Sequence, residues 1–191
     1  GADVTAIRQQ EILFNPRHIR AFLELHIEQG PVMVAHKIPV AVVSGIRGNL
    51  RHNRIQCIGA PGHSGAIPRW LRRDAMFAVA DLIMRLDEHW SVLLERGTDL
   101  VVTTGMLSTD PKEHATSRIP GQVNFSFEVR SKSIDTLEAF YQLMRAECTA
   151  ISRERKVRFE FDRRLLSQPA TMDATLSQRL ADLCTQQGCP Y

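Results

Sequence analysis

A chain of 191 residues, 43% hydrophobic and 24% charged, has the material for one globular domain, or for a small domain flanked by pieces of another. Its net charge is only +3, and its densest basic sites, Arg72-Arg73 and Arg163-Arg164, are short and face no aromatic platform, which argues against a nucleic-acid-binding protein. No apolar run approaches the length needed to span a bilayer, so no membrane role is expected. The cysteines Cys57, Cys148, Cys184 and Cys189 show no CxxC spacing and follow no signal peptide, which predicts a reduced, cytoplasmic protein. The chain starts at Gly1 and stops at Tyr191 just after a helical pattern, so both ends read as cut from something longer.

Residues 4–14 have helical spacing and are interrupted by Asn15-Pro16. Residues 22–28 alternate, with Leu23, Leu25 and Ile27 facing one way and Glu24, His26 and Glu28 the other, which predicts a strand with a polar second face. Gly30-Pro31 ends it and starts a short helix. Residues 40–43 read as a further apolar strand, and Gly45 and Gly48 bracket a hinge.

Residues 54–59 read as a strand and residues 69–94 as a long helix, whose stripe is Ala75, Val79, Leu82, Ile83, Leu86 and Trp90. Residues 100–106 are β-branched and apolar, a strand. Val123, Phe125, Phe127 and Val129 alternate strictly with polar residues, a strand covered on one face. Ser133 is placed to cap a helix with the stripe Leu137, Phe140, Met144, Cys148 and Ile151. Val157, Phe159 and Phe161 alternate again, and residues 174–184 read as a last helix. The order is β-α-β-β-α-β over about residues 50–162, the ferredoxin-like split βαβ arrangement. Right-handed crossovers put both helices on one face of a four-stranded antiparallel sheet. An edge strand or a helix face is then free to pair with a second copy in a two-fold dimer.

The segment Phe22-Leu23-Glu24-Leu25-His26-Ile27-Glu28-Gln29-Gly30-Pro31-Val32 closely resembles a signature of the carbamoylase, allantoate amidohydrolase and β-ureidopropionase family, relatives of the dinuclear zinc exopeptidases. Three further segments agree in order and spacing. Gly62-His63-Ser64-Gly65-Ala66-Ile67-Pro68 resembles the family's His-Ala-Gly-Thr-Thr-Pro loop, and Arg72-Arg73-Asp74-Ala75 follows it. Ile119-Pro120-Gly121, running on to Phe125-Ser126-Phe127-Glu128-Val129-Arg130-Ser131, resembles the strand that carries the family's substrate arginine. The likeness implies a mixed fold in which residues 1–45 and 163–191 are parts of an α/β catalytic domain of the zinc-peptidase type, and residues 46–162 form an inserted dimerisation lid.

It also implies roles. His26 would be a metal ligand, and imidazole suits zinc, manganese or cobalt. Gln29 would contact the carbamoyl or amide group, since an amide side chain donates and accepts at once. His63 would reach a neighbouring subunit's active site and stabilise an oxyanion. Arg130 would hold a substrate carboxylate in its guanidinium fork, with Ser117 beside that recognition where the family usually has asparagine. The expected whole is a homodimeric hydrolase of linear C–N bonds in N-carbamoyl amino acids or ureido acids, using two divalent metal ions that this chain does not bind completely. An aminoacylase or dipeptidase of the same fold, or a dimerisation module without catalytic duty, are the alternatives.

Other residues are set aside. Glu24 and Glu28 would stand ~13 Å apart on a strand, too far to share a proton or a metal. Ser64 next to His63 has no nucleophile elbow around it, so serine catalysis is rejected. His18, His36, His52, His89 and His114 lack metal-ligand spacing to each other and read as surface or capping histidines.

Overall fold

The computed structural model describes residues 3–12 and 15–191, which divide into two compact units, 1–41 with 184–191, and 42–183. The mixed α/β class expected from the sequence is the one observed, and every paired sheet is antiparallel.

In the first unit, α1 (Val4–Arg8) begins where the Asp3 carboxylate accepts the Thr5 and Ala6 N–H groups. The last two residues of the helical pattern, 13 and 14, lie outside the described residues. The alternating segment 22–28 is not a strand: it pairs with nothing, and Leu25 is 99% exposed. Alternation marks a chain suited to a ladder, but backbone N–H and C=O groups must find partners to make one. Residues 40–43 are unpaired for the same reason. Glu28 instead caps α2 (Val32–His36), its carboxylate accepting the Val32 and Met33 N–H groups at 2.9 and 3.1 Å. Lys37, in the left-handed conformation, ends that helix.

The second unit is built on β1 (Gly45–Ile46), β2 (Gly48–Ile58), β3 (Gly62–His63), α3 (Ala75–Glu95), β4 (Val101–Thr103), β5 (Leu107–Ser108), β6 (Arg118–Ile119), β7 (Gln122–Ser131), α4 (Ile134–Arg155), β8 (Arg158–Phe161), β9 (Leu165–Ser167), β10 (Ala170–Thr171) and α5 (Ala174–Gln186). The main sheet runs β4-β7-β2-β8, with β5 also on β7 and β9 also on β2. After residue 162, where the sequence reads the chain as leaving the sheet, β9 continues along β2 and β10 pairs with β1.

The core follows from the patterns. On β7, Val123, Phe125, Phe127 and Val129 are all buried. On β2, the buried set is Leu50 and His52, then Ile55 and Cys57; a bulge between His52 and Ile55 shifts the register on β7 and returns the apolar residues to the inner face. α3 starts at Ala75, later than its apolar pattern, because residues 69–71 form a separate 3-10 turn and Asp74 caps the Met76 and Phe77 N–H groups. Ser133 caps α4 through the Thr136 N–H group, and left-handed Lys156 ends it. α3 and α4 pack on each other and on β2 and β7. Arg85 bonds Asp81 one turn earlier on α3 and Glu147 and Glu154 on α4, and Arg155 of α4 bonds Asp81. Burial pushes the Cys57 and Cys148 thiols up to about 12, so both stay neutral packing groups.

Candidate functional site

The β3–β6 ribbon is only two residue pairs long, Gly62 with Ile119 and His63 with Arg118. It is extended by the Ser64 N–H group, which donates to the Ser117 carbonyl at 2.7 Å. The structure therefore brings His63 and Ser117 together, both exposed. Nδ1 of His63 accepts the Gly65 N–H group at 3.1 Å. A neutral imidazole that accepts at one nitrogen carries its proton on the other, so Nε2–H is a donor with no partner among the described residues.

The loop is tied to the start of α3. Arg72 donates from Nε to the Ile67 carbonyl at 2.9 Å and from Nη2 to the Ser64 carbonyl at 2.6 Å. Ala60 N–H donates to the Arg73 carbonyl at 2.9 Å. Gly59 is needed for this approach: a Cβ there would lie 1.9 Å from that same carbonyl oxygen. Nearby, Arg118 donates to Glu113 at 2.8 Å, and His114 bonds Thr109.

Arg130 lies at the far end of β7, opposite Asn49 on β2 and Val101 on β4. β7 is 10 residues long, and at ~3.3 Å per residue its ends stand roughly 30 Å apart. The guanidinium fork already holds a carboxylate: Nε and Nη2 donate to the two oxygens of Glu128 at 2.9 and 3.1 Å. Arg130 also lines a pocket of about 350 Å³ with Ser44, Gly45, Ile46, Arg47 and Lys132. The Arg47 bond holds the Asp99 carboxyl below its usual range, and Arg47 itself is raised by the same bond. Arg47, Lys132 and Asp99 carry no signal in the sequence; only strand register collects them.

His26 and Gln29 are in the first unit, both exposed. His26 Nδ1 bonds the Ile27 carbonyl, and Gln29 takes a left-handed φ of 57° at the turn before α2. Among the described residues no group of three or more His, Cys, Asp or Glu could hold a metal ion. Two histidines differ from their surface reading. His52 is buried, with Nδ1 2.9 Å from Asp162 and Nε2 3.2 Å from the Tyr141 hydroxyl, because its place on β2 faces α4. His89 pairs with Glu147 across the helices at 3.0 Å.

No protein-family model matches the chain. A probable allantoate deiminase from Oryza sativa subsp. japonica is 33% identical over 92% of this chain and 38% of its own length. An N-carbamoyl-L-amino acid amidohydrolase from Geobacillus stearothermophilus is 31% identical over 92% of this chain and 41% of its own. The crystal structure of an amidase of the hydantoinase/carbamoylase family from Burkholderia phymatum matches with a TM-score of 0.73 at 30% identity, over 83% of this chain and 38% of that one. The chain thus spans about two fifths of the curated relatives it matches, between 38% and 41% of these two. Over that span the chain belongs to the carbamoylase and allantoate amidohydrolase family.

Proposed function

We propose that this chain is the lid-bearing part of an amidohydrolase that cleaves linear C–N bonds in N-carbamoyl amino acids or ureido acids. Its lid is residues 46–162, a ferredoxin-like βαββαβ unit; residues 1–45 and 163–191 serve the catalytic domain. The reading is supported by the similarity to an allantoate deiminase and an N-carbamoyl-L-amino acid amidohydrolase. One observation carries the chemistry: His63 Nδ1 is occupied by a backbone N–H, leaving Nε2–H as a fixed donor for an oxyanion.

Roles follow for each residue. His63 donates to the oxygen that gains charge as water adds to the carbamoyl carbon. Arg130 exchanges Glu128 for the substrate carboxylate, and Ser117 offers a hydroxyl beside it. Gln29 donates to and accepts from the carbamoyl group. The roughly 30 Å between the two ends of β7 means that one chain cannot put His63 and Arg130 on one small substrate. A homodimer, with His63 and Ser117 of one copy serving the Arg130 of the other, removes that difficulty.

His26 is the one metal donor proposed here. A catalytic zinc takes three protein ligands, and the described residues do not supply such a set, so no step is assigned to a metal held by this chain. The family reading calls for divalent ions, with zinc, manganese or cobalt each compatible with an imidazole ligand. A cytoplasmic setting is supported by four unpaired cysteines.

The test is turnover of N-carbamoyl amino acids and of allantoate by the intact enzyme. His63→Ala is expected to lower kcat by about 10²–10³-fold, the cost of one oxyanion donor. Arg130→Ala is expected to raise KM for carboxylate substrates. Unchanged kcat and KM in both variants would leave only a dimerisation module.

A further inference from the structure

We infer that Cys184 and Cys189, at the end of α5, are an oxidation site: a dithiol that small disulfides of the glutathione type convert to an intrachain disulfide. The inference is independent of the amidohydrolase reading. α5 (Ala174–Gln186) is followed by Gly188 in the left-handed conformation, φ 64°. There the Gly188 N–H donates to the Thr185 carbonyl at 3.1 Å, and the Cys189 N–H donates to the Cys184 carbonyl at 2.9 Å. Two such bonds, one nested inside the other around a left-handed glycine, make the Schellman helix stop. In that motif the two residues joined by the outer bond turn their side chains toward each other, commonly as an apolar contact. Here both of those residues are cysteine.

The outer bond also fixes the separation. With standard bond lengths, an N–H to carbonyl bond of 2.9 Å holds the two Cα atoms no more than ~6.8 Å apart. A disulfide bridges Cα atoms ~4.4–6.8 Å apart. Cys184 and Cys189 are both free and partly exposed, whereas Cys57 and Cys148 are buried. The Cys189 Sγ lies 3.9 Å from the Pro190 carbonyl, too long a contact to hold the thiol against a χ1 rotation. Both cysteines belong to the stretch 184–191 of the first unit, so the bond closes within one unit.

The chemistry is two thiol–disulfide exchanges. One cysteine thiolate attacks a sulfur of oxidised glutathione, forms a mixed disulfide and releases one glutathione thiolate. The other cysteine, having lost its proton to water, attacks the protein sulfur of that mixed disulfide and releases the second glutathione. Two protein thiols are oxidised and one small disulfide is reduced to two thiols. The helix stop already holds the ends of the short loop together, so closing it costs little further chain entropy. The bond then fixes the left-handed turn at Gly188 and the direction in which the chain leaves α5. Among proteins kept reduced, a disulfide of this kind is transient and follows the oxidant level.

The test is redox titration of the purified chain in glutathione buffers of rising oxidised share. Each sample is quenched in acid, alkylated at its free thiols, digested with trypsin and weighed. Arg179 is the last basic residue, so Cys184 and Cys189 fall in one peptide that begins at Leu180. That peptide should pass from doubly alkylated dithiol to a single species two hydrogens lighter than the dithiol. Cys184→Ser and Cys189→Ser should each end instead as a mixed disulfide with glutathione. Nothing lies within 4 Å of a Cβ added at Gly188, so Gly188→Ala strains only the left-handed turn and should require about a tenfold more oxidising buffer. Gly97→Ala, at φ 76° after α3, should leave the midpoint unchanged. The inference is overturned by a wild-type peptide that carries two glutathiones, or that stays a dithiol where the single-cysteine variants are glutathionylated. Equal midpoints for Gly188→Ala and the wild type would overturn it too.

Discussion

A single oxygen of Asp99 accepts both Nε and Nη2 of Arg47, at 2.8 and 2.6 Å, while the other accepts the Lys132 N–H group at 2.8 Å. One carboxylate thus joins the segment between β1 and β2 to the end of β7, beside the pocket that Arg130 lines.

That carboxylate gives a pH dependence. The Arg47 bond depresses the folded Asp99 carboxyl, while an unfolded aspartate titrates near ~3.9. The stabilisation is therefore present above about pH 4 and is lost as pH falls from there through the folded value. Asp99→Asn should remove this part of the acid sensitivity. Urea unfolding between about pH 5 and pH 3 measures it, and parallel pH curves for variant and wild type would count against the link.

Glu128 occupies the fork that substrate would need. Glu128→Gln, in the intact enzyme, should weaken that competition and lower KM for carboxylate substrates about twofold to fivefold, the range of an exposed ion pair. An unchanged KM would mean that Arg130 does not meet substrate.

Asp162 holds buried His52 through one oxygen and the Arg54 N–H group through the other, at 2.9 and 3.0 Å. Asp162→Ala leaves an imidazole nitrogen unpaired in the core and should cost about 1–3 kcal/mol. Chemical denaturation reads the loss; a change under a few tenths of a kcal/mol would imply that water replaces the carboxylate.

With His26 as the one candidate metal donor, the purified chain should show no turnover of N-carbamoyl amino acids with added zinc or manganese. Measured turnover under those conditions would contradict the donor count.

What the sequence made legible has a common physical basis. β7 and α4 each repeat a burial period over many residues, so Val123 to Val129 and Leu137 to Ile151 were readable from spacing alone. Residues 22–28 show equally good alternation and form no strand, because period 2 reports a preference and not the presence of a partner. The β2 bulge hides His52, since it changes which residues face inward partway along a strand. His63 and Ser117 were nominated by resemblance; their adjacency depends on a ribbon too short to have a period. Arg47 and Lys132 reach the Arg130 pocket only through register, which no local pattern encodes.

The return segment along β2 has a mechanical consequence. Phe161 lies opposite Ile55 and Leu165 opposite Arg51, so β8 and β9 keep one count along β2 on either side of residues 162–164. They are two halves of one bent beam, cracked where β2 bulges, with the Asp162 side chain as the rivet across the crack. One residue inserted in 162–164 would leave β8 in place and turn every β9 side chain to the opposite face. The length of that short gap is therefore a ruler for the whole outer edge of the sheet.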